Sequence, residues 1–198
     1  MSLTTTSATF PSSTQKESPD EQPDWELLLQ AKAGDETAWQ ILTTRHQPLL
    51  WKWLLLSTRQ RDLAQEIQQE AWVRMYHVTP GHHAGSFRAY LFRIARNLLL
   101  KSFEKKNRQR VGDLDELEST NHGPLNELLH SDRDRWLANA LASLSSEQRE
   151  VLELRFLGEQ SLAEIAVVLA LPLGTVKSRL HYGIGSCRKY LVKRGVEL

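Results

Sequence analysis

A chain of 198 residues has room for one large or two small domains, and 40% hydrophobic with 25% charged residues is the composition of a folded soluble protein, not a disordered one. Twenty-five Lys and Arg against 24 Asp and Glu leave a formal charge of +1, so any affinity for nucleic acid has to come from local patches. A single cysteine, Cys187, excludes an internal disulfide framework and any multi-cysteine zinc or iron–sulfur site, which fits a reducing compartment.

Residues 1–23 are rich in Ser, Thr, Pro and Gln, with no cationic start before a hydrophobic block. They read as a disordered tail and not as a secretory signal. Apolar residues then recur at threes and fours, which predicts an all-α chain. Helices are expected over 24–33, 35–56, 60–77 and 86–107, interrupted by Gly34, by the polar segment Ser57 to Gln60 and by Thr79 to Gly85. Pro48 is expected to kink the second. The most apolar stretch, Leu49 to Leu56, is broken by Lys52 and falls far short of the roughly 20 residues of a membrane helix, so no membrane insertion is expected.

The near-neutral total conceals segregated charge. Arg88 to Arg110 holds eight Lys and Arg against Glu104 alone, a local charge of +7. Residues 111–132 hold six acids, Asp113, Asp115, Glu116, Glu118, Glu127 and Asp132, and no Lys or Arg, with Gly112, Gly123 and Pro124 as breakers. That segment reads as a flexible acidic linker. Beyond it helices are expected over 133–144, 147–157, 161–169 and 173–193, and Pro172 to the end carries six basic residues against Glu197. The fold expected is therefore all-α, with two small helical domains, 24–110 and 133–198, joined by the linker 111–132.

Ser161-Leu162-Ala163-Glu164 has the form of a capping box, which places a helix start at Ser161. Ala170-Leu171-Pro172 then breaks that helix and a second begins near Leu173, the spacing of a helix-turn-helix. In the second helix Val176, Leu180, Ile184, Cys187 and Leu191 form one apolar stripe, and the opposite face presents Thr175, Ser178, Tyr182 and Lys189, flanked by Lys177, Arg179 and His181. Such groups reach base edges and phosphates in the major groove. The alternative at this point is a solvated basic face on a packing helix. Cys187, on the stripe, reads as a buried and inert thiol.

The runs Leu144 to Phe156, Ser161 to Ala166 and Pro172 to His181 resemble region 4 of bacterial RNA polymerase sigma factors of the extracytoplasmic-function type. Gly34 to Trp39, Ala64 to Arg74 and Phe87 to Asn97 are similar to sigma region 2. The resemblance covers roughly residues 24 to 193, with both motif sets in the family's order. It implies a sigma factor that binds RNA polymerase core, region 2 on the β′ coiled coil and region 4 on the β flap, and directs initiation by reading minus-10 and minus-35 promoter DNA. It also implies a cytoplasmic location, control by an anti-sigma partner and neither catalysis nor a cofactor.

On the matching positions, Glu66, Gln69 and Glu70 would contact core polymerase. The loop Val78 to Ser86 would capture an unpaired minus-10 base, with His82, His83 and Ser86 available to hydrogen-bond it. Adjacent histidines also suit a metal, but neither cysteines nor acids stand near them. Arg88, Arg96, Asn97 and Lys101 would follow minus-10 phosphates, and Thr175, Lys177, Ser178, Arg179, His181 and Tyr182 would read the minus-35 element. Phe87, Phe92, Trp39, Trp51 and Trp53 read as packing. The chain departs from the family after His181, where Tyr182-Gly183-Ile184-Gly185-Ser186 replaces basic and Ala-rich residues. Two glycines, each costing a helix about 1 kcal/mol relative to Ala, predict fraying or bending there and an atypical minus-35 sequence.

A stand-alone helix-turn-helix regulator is the competing class, and the segment 64–107 argues against it because a ligand-sensing domain has no reason to carry it. A helical hydrolase or metalloenzyme fails for want of a nucleophile–base motif, a phosphate loop or a clustered ligand set.

Overall fold

The computed structural model describes residues 23–79, 86–110 and 139–194. In chain order the helices are α1 (Asp24–Lys32), α2 (Glu36–Thr58), α3 (Arg61–His77), α4 (Phe87–Arg110), helical residues at 139–142, α5 (Ser146–Phe156), α6 (Leu162–Leu169) and α7 (Leu173–Val192). No strand occurs among the described residues. The linker and the histidine pair lie outside the described residues.

Local chemistry sets most boundaries. Gly34, at φ +100°, turns the chain out of α1, and the Asp35 carboxylate caps α2 by accepting from the Thr37 and Ala38 amides at 2.9 and 3.2 Å. Asp24 clamps α1 to α2, accepting from Arg45 and meeting His46 Nε2 at 2.9 Å. Burial alone would raise the Asp24 carboxyl, but His46 and Arg45 outweigh it and the pKa falls. Pro48 does not end α2. Pro48 removes the donor for the Thr44 carbonyl, and both residues are exposed, so water can take that bond.

In the first half α1, α2, α3 and α4 enclose Leu27, Leu42, Leu50, Trp53, Met75, Phe87 and Phe92, all at most 1% exposed. In the second half α7 packs on α5 and α6 around Val151, Leu154, Ile165, Val168 and Val176. The predicted capping box is present: Ser161 Oγ accepts from the Glu164 amide at 3.2 Å, and Glu164 Oε2 accepts from the Ser161 amide at 2.7 Å. α6 closes on Ala170 in the left-handed region, and Pro172 stands at the N-cap of α7. The halves are not merely tethered, because α4 packs directly on α6 and their apolar cores are continuous. Gly158 permits the approach, since a Cβ there would lie 2.8 Å from the Phe92 ring.

Two expectations are corrected in α7. The helix runs unbroken from Leu173 to Val192, with no fraying after His181. Its buried line passes through Val176, Gly183 and Cys187, while Ile184 is 44% exposed. The physical reason is that Gly183 is a contact point: a Cβ there would come 2.5 Å from Leu152 Cδ1, so the missing side chain lets α7 lie close against α5. Burial raises the pKa of the Cys187 thiol, in keeping with an inert packing group.

Candidate nucleic-acid interface

The outward side of α7 leaves four of the six predicted reading positions exposed. Lys177, Ser178, His181 and Tyr182 are exposed, and Thr175 and Arg179 are half-buried beside them. Tyr182, at 64%, is among the most exposed large side chains, and its ring meets His181 edge-on at 5.5 Å. Ser178 Oγ donates to the Thr175 carbonyl at 2.9 Å, a bond one turn long that a base edge can replace. Glu147, at the start of α5, has its carboxyl lowered by its own backbone amide and by Ser145, with a smaller contribution from Arg179.

The α4 residues divide into two groups. Asn97 and Lys101 are exposed. Ser86 caps α4, its hydroxyl accepting from the Ala89 amide at 3.1 Å, and the same hydroxyl donates to Glu164 of α6. Arg88 Nη2 donates to the same carboxylate at 3.1 Å. Arg96 forms a fork with Glu150 of α5, Nε to Oε1 at 2.6 Å and Nη2 to Oε2 at 3.2 Å. Burial would raise the Glu164 carboxyl, but hydrogen bonds from Ser86, Ser161 and Arg88 bring it down to about 2. Glu153 goes the other way. It faces α2, accepts from Ser57 Oγ at 3.3 Å, and burial pushes its carboxyl up to about 7.

On the far side of the first half, Glu66 and Gln69 are exposed on α3, and Glu70 pairs with Arg74 one turn on at 2.7 Å. Beside them an open groove of about 960 Å³ runs between α2 and α3, walled by Trp39, Trp51 and Trp72 and floored by Gln65, Gln68 and Gln69. Trp39 and Trp51 are only half-buried, so of the second helix's tryptophans Trp53 alone belongs wholly to the core. Trp39 stacks edge-on with Trp72 at 5.4 Å, which fixes the wall.

Residues 42–109 match the family described as Sigma-70 region 2, and residues 140–189 match Sigma-70, region 4. The ECF RNA polymerase sigma factor SigL of Mycobacterium tuberculosis is 33% identical over 170 residues, covering 84% of this chain and 96% of the relative. SigE of Mycolicibacterium smegmatis is 30% identical over 188 residues, covering 90% and 72%. The chain belongs to the ECF sigma factors of RNA polymerase.

Solved structures with a similar fold include CnrH in complex with the cytosolic domain of CnrY, at TM-score 0.62 and 22% identity over 86% of this chain and 97% of that one. RpoE of Bartonella quintana in complex with the anti-sigma factor NepR gives TM-score 0.58 and 22% identity over 77% and 96%. As an ECF sigma factor this protein directs RNA polymerase to promoters and starts transcription there. In the sigma factor, sequence reading brought together the α7 residues and the exposed α3 residues but missed the carboxylates Glu150, Glu153 and Glu164 as partners of the first half. Glu164 carried a signal only as a capping residue. Trp39 and Trp51 do pack against the core, as their spacing predicts, but they also line the groove, which aromatic spacing on a helix does not reveal.

Proposed function

We propose that this sigma factor engages its partners through three surfaces in two units, residues 24–110 and 133–198, joined by residues 111–132. Glu66, Gln69 and Glu70, with the tryptophan-walled groove beside them, bind core polymerase at the β′ coiled coil, while the second unit sits on the β flap. Ser86, Arg88, Arg96, Asn97 and Lys101, together with His82 and His83, contact minus-10 DNA. Thr175, Lys177, Ser178, Arg179, His181 and Tyr182 read the minus-35 element from the major groove. The observation that carries this reading is the exposed polar face of α7, which lies opposite its packed line within a capped helix-turn-helix.

Tyr182 contributes a ring and a single hydrogen-bonding group where a guanidinium would grip guanine bidentately, so the minus-35 sequence is atypical. The protein performs no catalytic step and works in the cytoplasm, where an anti-sigma partner holds it inactive. The complex of the similarly folded RpoE of Bartonella quintana with the anti-sigma factor NepR supports that control. Among the described residues no helix is long and apolar enough to cross a membrane.

Selection from a promoter library randomised at the minus-35 positions tests the α7 assignment. Ser178→Ala with Arg179→Ala is expected to relax or change the selected minus-35 motif and leave the minus-10 motif as it was. An unchanged minus-35 consensus would remove α7 from the reading.

A further inference from the structure

The contact between the two halves carries an unusual pairing. The carboxylates that the second half turns toward α4 meet the α4 side chains that face DNA in the reading above, and the inference rests on that reading. Glu164 lies where the N-termini of α4 and α6 converge, accepting from Ser86 Oγ, from Arg88 Nη2 at 3.1 Å and from the Ser161 amide at 2.7 Å. An oxyanion at such a point is held by helix dipoles, a hydroxyl and a guanidinium, the same donors that hold a phosphate. Glu150 grips Arg96 through both of its oxygens. Arg88 and Arg96 are eight residues apart on one helix, about 12 Å along its axis, which is the rise of three to four nucleotides of one DNA strand.

We propose that Ser86, Arg88 and Arg96 form a seat for nucleic-acid phosphates on α4, and that Glu164 and Glu150 occupy it as intramolecular stand-ins, so that the protein's second half and promoter DNA compete for the same donors. Glu164 is charged across the physiological range, because its carboxyl is held at about 2. The free protein is then a weak DNA binder by construction. Separation of α4 from α6 uncovers the seat.

The test uses the full chain and a fluorescein-labelled, random-sequence single-stranded DNA, read by fluorescence anisotropy at low salt. Glu164→Gln retains the capping box, since Gln serves at that position as Glu does, and Glu150→Gln keeps the side-chain volume. The double variant is expected to bind about ten-fold more tightly than the parent, the value of one charge-assisted hydrogen bond regained. Glu26→Gln with Glu36→Gln makes the same charge change at exposed positions away from the seat, and is expected to give a much smaller gain. Adding Arg88→Ala and Arg96→Ala to the first pair is expected to abolish its gain. If the two glutamine pairs gain equally, or the first gains nothing while the arginine substitutions still weaken binding, competition is refuted and α4 remains a DNA contact. If the arginine substitutions change nothing in either background, the reading of α4 itself fails, and the competition with it.

Discussion

Gly183 and Gly185 stand two residues apart in α7 and do opposite things. At Gly183 an added methyl meets Leu152 at 2.5 Å, whereas at Gly185 nothing lies within 4 Å. Gly183→Ala is therefore expected to lower stability by about 1–2 kcal/mol through overpacking, and Gly185→Ala to raise it by about 0.5–1 kcal/mol through helix propensity. Urea unfolding midpoints check both signs. Glu153 makes a pH prediction. Its carboxyl is raised from 4.5 to about 7 by burial and by Glu150, against the lowering effects of Ser57, Arg149 and Arg59. Between those two values the unfolded chain has lost a proton that the folded chain keeps, so stability falls as pH rises from about 4.5 to 7 and the penalty is complete above that. Glu153→Gln removes this slope. The variant is expected to gain stability relative to the parent at pH 8 and not at pH 4; equal differences at both would contradict the buried titration.

Among the elements, α6 depends most on its cap. It has only eight residues, and Ser161 with Glu164 satisfies both a backbone donor at its start and the Ser161 amide. Ser161→Ala is expected to cost about 1 kcal/mol, measurable as a drop in unfolding midpoint. If stability does not change, the box is not holding α6. The helices themselves were legible because their boundaries are written locally: Gly34 and Asp35 before α2, Ser161 and Glu164 in α6, Pro172 before α7. Val176, Leu180, Cys187 and Leu191 on the packed side of α7 were legible from their spacing, but Gly183 was not, because a glycine counts for nothing in hydrophobic periodicity even where its smallness makes the contact. Nor were the pairs Arg96–Glu150 and Arg88–Glu164, whose partners lie 54 and 76 residues apart and leave no spacing pattern.

For the whole molecule, the segregated charge becomes intelligible once the halves are seen together. The basic α4 is faced by carboxylates from α5 and α6, so the near-neutral total is partly built into the contact between the halves. The same contact buries apolar surface, with Phe92 against Gly158 and α4 on α6, so the closed arrangement rests on packing as well as charge.

The most direct test is run-off transcription with purified bacterial core polymerase on a library of promoter fragments, with and without this protein. New start sites that appear only when it is added, and that share a two-part upstream motif, are the expected result. No binding to core and no new starts, with tight binding of duplex DNA by the protein alone, would contradict a sigma factor and indicate a stand-alone regulator.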